Sequence, residues 1–339
     1  MEEKSKADLV NSLLDAQLAA GLRGDFEEGW RLANELEKIA PEDPRPKFNR
    51  AWYEMMRGNL LKGFELLSHG RWIRAFGDQP LPTNKSILHP QDSVQNKHIL
   101  FCSEGGLGDE IINFRFTKVL ADLGAKVTVS CDPGLVSVFA RAPWISAVVH
   151  HQAAPFVYHD HWIPGMSAGH ILGVEYQNLS NQAYLSVDPE YDLKWRQYFQ
   201  NFPKDKKPRI GLRFKGNSQF EHEQFRKFPE HLLVSAVGEI PWVSLQLGET
   251  DLAIENWEDT LAVINNLDLI ITSCTSVAHA AAALGKETWV VVPVLPYYVW
   301  AMPGDKSPWY ESVTLFRQKT FGQWEDVFTS IHLALKSKF

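Results

Sequence analysis

The sequence predicts an α/β chain: two parallel-sheet units in series, preceded by an all-α segment. Three observations carry this. From His98 onward, apolar runs of strand length alternate with helical stretches, the pattern of a parallel sheet covered by helices. Two strand-to-helix junctions, at 103–110 and 272–276, consist largely of glycines or of small hydroxylated residues. Residues 5–75 lack strand signals and repeat helical ones at a fixed spacing.

The helical part comes first. Leu14, Leu18 and Leu22 recur every four residues, and Phe48, Trp52 and Met56 each fall 34 positions after their counterparts. The breaker Gly24-Asp25 returns as Gly58-Asn59, Gly29-Trp30 as Gly63-Phe64, and Leu32 as Leu66. Paired helices at this period are the signature of tetratricopeptide repeats, which need about three copies to stand alone. The segment 1–75 is therefore expected to pack on the sheet unit next to it in the chain. Residues 76–96, rich in Pro, Asn, Gln and Asp, read as a connector.

The first sheet unit is assigned to 97–188. His98–Cys102, Lys126–Ser130 and Ala147–His150 read as strands. A helix after Asp109 carries Ile111, Ile112, Phe116, Val119 and Leu120 on one face, and 133–141 reads as a second helix. This is a Rossmann-like βαβαβ run. Gly105, Gly106 and Gly108 between strand and helix let the backbone approach a ligand, but their spacing is not that of a dinucleotide fingerprint. Residues 151–185 read as a long ordered loop. In it His159 and His161 share a face if extended. No third ligand accompanies them, so they read as solvent-facing or cleft-lining and are assigned to the acceptor side, not to a metal.

Residues 189–208, with Pro189, Pro203, Pro208 and the run Lys204-Asp205-Lys206-Lys207, read as a linker. The second unit, 209–339, begins with the strand Arg209–Phe214 and a polar loop from Lys215 to Phe228. Pro229–Val237 reads as a helix, Trp242–Leu247 as a strand and Trp257–Leu267 as a helix. Leu269–Ile271 and Trp289–Val292 are strands around an alanine-rich helix, with an aromatic and Pro-rich loop next at 294–310. Val313–Phe316 is a last strand and 321–336 a last helix. At the turn 272–276 free N–H groups and a helix dipole meet, which suits a phosphate. Thr275 and Ser276 can cap the helix and donate to phosphate oxygens, with His279 one turn further on the same face. A well-capped core helix has the same sequence pattern.

The chain has 339 residues, 45% hydrophobic and 22% charged, with net charge −7. That balance argues against a general nucleic-acid binder. Three separated cysteines suit a reducing compartment. The N-terminus lacks an apolar signal core and no apolar run reaches membrane-spanning length, so a cytoplasmic protein is expected.

Glu104-Gly105-Gly106-Leu107-Gly108-Asp109, Gly211 to Asn217, Thr272 to His279 and Ser307-Pro308-Trp309-Tyr310 occur in that order. Together they resemble the bacterial and phage tetratricopeptide-linked glycosyltransferases, which are similar to heptosyltransferases and more distantly to O-GlcNAc transferase. The resemblance covers nearly the whole chain. It implies the GT-B fold, with two Rossmann-like domains facing across a cleft. It also implies a nucleotide-diphosphate sugar on the C-terminal unit, an acceptor on the N-terminal unit, and inversion without metal or other cofactor.

On that reading Lys215, with Arg226 second and Arg213 in reserve, neutralises the leaving diphosphate beside Thr275, Ser276 and His279. Gln246 reaches the nucleotide base or is an ordinary polar strand end. Asp109 is the general base or only a helix cap, with Glu104 and Glu110 as substitutes. The helix start is expected to lower the pKa of Asp109. The family usually has an acidic residue where this chain has Cys274. The acceptor stays open among protein, glycan, lipid-linked sugar and modified nucleobase. The helical N-terminus is a candidate surface for a protein partner or self-association. A nucleotide-sugar epimerase of similar fold and a non-catalytic tetratricopeptide-type interaction protein are the alternative readings.

Overall fold

The computed structural model describes residues 2–78, 80–82, 84–200, 208–218, 223–246 and 248–339. The run Lys204–Lys207, Pro203 and the strand end at Leu247 lie outside the described residues.

Four helices open the chain: α1 (Glu2–Leu22), α2 (Phe26–Ile39), α3 (Pro44–Met56) and α4 (Leu60–Leu67), each packed on the next. Gly24 and Gly58 sit at φ 77° and 90°, where a side chain is strained, and reverse the chain. Asp25 then caps α2 by accepting from the N–H of Glu28 at 3.2 Å. Gly29 of α2 and Gly63 of α4 both lie against α3. A Cβ would lie 2.4 Å from the Tyr53 hydroxyl at the first and 2.3 Å from Met55 Cγ at the second, so α3 packs flush on both. The face that α1 buries carries Val10, Gln17 and Ala20, whereas Leu18 is exposed. A 3-10 stretch, Ser68–Ile73, continues from α4.

The first sheet holds β1 (His98–Cys102), β2 (Lys126–Cys131), β3 (Ile145–His150) and β4 (His161–Pro164), all parallel, in the order β3-β2-β1-β4. Helices α5 (Leu107–Asp122), α6 (Val136–Ala140) and α7 (Ala168–Ile171) accompany it. The segment expected as a loop over 151–185 thus contains a strand. β4 is short and ends in Pro164, which an edge strand tolerates because its N–H is not needed by the ladder.

The segment expected as a linker begins with α8 (Pro189–Gln200). Asp188 accepts from the N–H groups of Glu190 and Tyr191, and Trp195 and Phe199 bury one face. The second sheet holds β5 (Ile210–Arg213), β6 (Trp242–Ser244), β7 (Leu269–Ser273), β8 (Thr288–Val292) and β9 (Val313–Arg317), parallel, in the order β6-β5-β7-β8-β9. Its helices are α9 (Glu223–Arg226), α10 (Glu230–Val237), α11 (Trp257–Asn265), α12 (Ser276–Ala283) and α13 (Glu325–Lys338).

One apolar core runs through all three parts. Phe64 of α4, which is 1% exposed, meets Phe116 of α5 at 5.7 Å and Trp309, in the loop before β9, at 5.9 Å between ring centres. A buried Phe contributes roughly 1.5–3 kcal/mol, so this side chain alone ties the helical segment to both sheets. A second cluster, including Leu233, Val237, Phe328 and Ile331, seats α10 and α13 on the outer face of the second sheet. The carboxyl ends of β1 and β7 face one another through α5 and α12, which pack together.

Candidate functional site

The loop after β1 is built around Asp109. Gly105 sits at φ +84°, and a Cβ there would lie 2.6 Å from Asp109 Oδ2, so both backbone and space require glycine. Gly106 is the N-cap of α5 and offers no side chain; its N–H donates to Asp109 Oδ2 at 3.0 Å. The other oxygen, Oδ1, accepts from the hydroxyl of Tyr297 at 2.5 Å. Tyr297 belongs to the loop after β8, so this bond spans the two sheet units. Arg71 of the helical segment donates twice to Glu104, at 2.7 and 2.8 Å, and Gly105 N–H donates to the carbonyl of Phe76. The helical segment thereby fixes the approach to the loop.

The starts of two helices meet here. A Cβ on Gly108 would lie 3.3 Å from His279 Cδ2 and 3.7 Å from the backbone nitrogen of Ser276, so the first turns of α5 and α12 touch. No side chain caps α12: Thr275 is its N-cap residue but is buried, with its hydroxyl 3.3 Å from that of Thr272. Ser276 opens the helix and is half-buried. Each helix start carries about half a positive charge. Beside them Arg226 donates to the carbonyl of Cys274 and is held by Glu223, whose carboxylate also accepts from the N–H of Gly216 at 2.6 Å. A Cβ on Gly216 would come within 2.2 Å of Arg226 Nη2.

Burial raises the Asp109 carboxyl above its ordinary value, and the neighbouring Glu110 pushes the same way; Tyr297, Gly106 and Arg226 oppose them. The expected lowering by the helix start is therefore overturned, because desolvation of a half-buried carboxylate outweighs it. His279 is pushed down to about 3, first by burial and then by Arg115 and Arg226. It stacks on Trp300 at 5.0 Å and meets the Tyr310 hydroxyl at 3.3 Å. It is a neutral imidazole at physiological pH, a hydrogen-bonding group and not a cation. Arg115 of α5 donates to the carbonyl of Trp309 at 2.7 Å and to the Tyr184 hydroxyl at 3.2 Å, and so locks the units together.

Asp109, Gly105, Gly106, Gly108, Thr275, Ser276, His279 and Arg226 thus converge. Lys215 does not join them. Its ammonium is half-exposed and paired with Glu249 at 2.6 Å, which raises its pKa. Gln246, 5% exposed, accepts from the N–H of Lys215 at 3.3 Å, so it braces that loop. Arg213 is buried and donates to the carbonyl of Leu245.

His159 and His161 are also elsewhere. His161 pairs with Ile99 at the amino end of β1, a strand length of roughly 15 Å from the glycine loop. His159 is buried against the carbonyl of Val157, and His161 meets the Ser86 hydroxyl. The strand that places them at the wrong end is β4. The substitutes for Asp109 are engaged as well: Glu104 with Arg71, and Glu110 with His151 and the N–H of Asp132.

Cys274 is buried, its thiol pushed up to about 12 by burial and set against the carbonyl of Val291. A carboxylate still reaches this turn from outside it, that of Glu223, through Arg226. Sequence reasoning missed Glu223 and Tyr297. The only signal for Tyr297 was the aromatic density of the loop at 294–310.

No protein-family model matches the chain. Protein FlbA of Caulobacter vibrioides is 22% identical over 343 aligned positions, which cover 88% of this chain and 56% of that protein. The chain thus spans about half the length of the curated relative it matches. Among solved structures, a glycosyl transferase family 9 protein from Veillonella parvula superposes with TM-score 0.53 at 12% identity, over 74% of this chain and all of that one (100%). An ADP-heptose lipopolysaccharide heptosyltransferase II from E. coli gives TM-score 0.47 at 12% identity, over 70% of this chain and 99% of that one. Two parallel sheets apposed at their carboxyl ends, with the likeness to the Veillonella parvula structure, are the GT-B fold.

Proposed function

We propose that this GT-B chain is an inverting, metal-independent glycosyltransferase that moves a sugar from a nucleotide-diphosphate donor to an acceptor. The observation that carries the reading is the meeting of two helix starts and Arg226 beside a half-buried carboxylate. A departing nucleoside diphosphate develops negative charge that must be neutralised. The two helix starts, at about +0.5 each, and the Arg226 guanidinium, partly offset by Glu223, supply that neutralising charge. The uncapped N–H groups of α12 and the Ser276 hydroxyl donate to the phosphate oxygens. His279 adds a neutral polar contact behind them.

Asp109 takes the acceptor's proton as the new bond forms. Its raised pKa makes it a stronger base than a free carboxylate. On this reading 97–188 is the acceptor unit, 209–339 the donor unit, and 1–75 a tetratricopeptide-like segment on the acceptor side, in a cytoplasmic protein.

Melting curves with UDP, GDP, ADP, dTDP and CMP test this. One nucleotide should raise the melting temperature, because a ligand of the folded state stabilises it by mass action. Arg226→Lys should weaken that nucleotide about 10- to 100-fold, the worth of a charge-assisted hydrogen bond. Lys215→Ala should change it less than about threefold, about 0.6 kcal/mol, as for an exposed ion pair. Nucleotide binding should survive EDTA. No stabilisation by any of the five, or a loss on Lys215→Ala with Arg226→Lys unaffected, would overturn the assignment.

A further inference from the structure

Asp109 Oδ2 is held from its own loop by Gly106, whereas Oδ1 is held by Tyr297 from the opposite sheet unit. With a donor on each oxygen, from two different parts of the chain, the carboxylate is held in one orientation. The Tyr297 ring is itself fixed. It packs at 6.1 Å from Trp52 of α3 and 4.6 Å from Tyr298. The start of its loop is braced by the helical segment as well: Leu295 lies 3.1 Å from a Cβ built on Gly21, and Val294 3.5 Å from one built on Gly24.

We propose that Tyr297 is the positioning residue of Asp109, and that the base is completed by a hydroxyl that the second sheet unit supplies. The role of Asp109 as base rests on the glycosyltransferase reading; the bond and its effect on the carboxylate do not. Without that bond Asp109 loses a donor and its fixed orientation together. The groups that face the carboxylate are few. Glu110 lies on its own helix, Arg226 on α9, and Tyr298 beside Tyr297, while His279 of α12 packs against Gly108 and is neutral. Among these Tyr297 is the one hydroxyl bonded to Asp109.

The test is carbon-13 NMR of side-chain-labelled aspartate in the full chain without substrate, with Asp109→Asn assigning the resonance. A donor to the ionised form lowers a carboxyl pKa. Tyr297→Phe should therefore move the Asp109 titration upward by about one to two pH units, the equivalent of one hydrogen bond to a charge. Tyr298→Phe should move it far less. An unchanged midpoint in Tyr297→Phe, or an equal shift in Tyr298→Phe, overturns the proposal. If the nucleotide panel gives no ligand while the Tyr297→Phe titration moves, the glycosyltransferase reading falls and the positioning role stands. With a donor in hand, the acid limb of the turnover–pH profile should move by the same amount as the carboxyl.

Discussion

At the scale of residues, the site is held by opposing effects on one carboxyl. Burial raises the pKa of Asp109 above its unfolded value, so the folded chain binds this proton more tightly than the unfolded chain. Between the two values stability falls as pH rises, and at neutral pH the ionised carboxylate is a net cost. Asp109→Asn removes that cost. The amide keeps an acceptor for Gly106, and the Tyr297 hydroxyl turns to accept from the new NH₂. The variant should melt above wild type at pH 8, with the difference vanishing below about pH 4, while turnover falls about 10²–10⁴-fold. A variant that melts lower at pH 8 would refute the raised pKa. The place of Asp109 at the start of α5 was legible, with base and cap as its two readings, and its bond to the Gly106 N–H is the cap. Its partner was not, because Tyr297 lies 188 positions away. The choice between Lys215 and Arg226 was hidden for a related reason. Both are cations of one polar loop, and Glu223 and Glu249 decide which of them turns inward.

At the scale of elements, the loop from β1 to α5 carries a second prediction. Gly105→Ala places a side chain at φ +84° and 2.6 Å from Asp109 Oδ2. It should cost about 1–3 kcal/mol in urea unfolding. At Gly106 the backbone is extended and the nearest atom to a Cβ is 3.8 Å away, so Gly106→Ala should cost less. Equal costs would mean that the loop does not wrap Asp109. The buried parallel strands β1, β2, β7, β8 and β9 were legible as apolar runs bounded by turn residues. β4 was not, since an edge strand of mixed burial ending in proline has no alternation to read. Nor was α8, since Pro189, Pro203 and Pro208 read together as a linker although Pro189 at a helix start favours a helix. The two histidines lie away from the glycine loop because of β4: a strand not read in the sequence carries His161, with His159 just before it, at the amino end of the sheet.

At the scale of the molecule, the helical segment and the two sheet units share one apolar interior. Phe64, Met55 and Leu67 from the helices belong to the same cluster as Phe116, Trp300 and Trp309. Unfolding of the full chain should therefore be a single calorimetric transition. Residues 77–339 expressed alone should expose the faces left by Phe64 and Trp52 and aggregate. Two separate transitions, or a soluble and stable truncated chain, would show the helices to be an independent module. Of the 34-residue periodicity visible in sequence, the structure shows the left-handed turns at Gly24 and Gly58. What periodicity does not carry is the far side of those helices, where Arg71 grips Glu104 and Trp52 backs Tyr297. Those two contacts set a condition for any redesign. A foreign helical adaptor grafted in front of the sheets would have to bring its own arginine and its own aromatic at those places. Without them the graft joins the polypeptide and leaves the cleft unassembled.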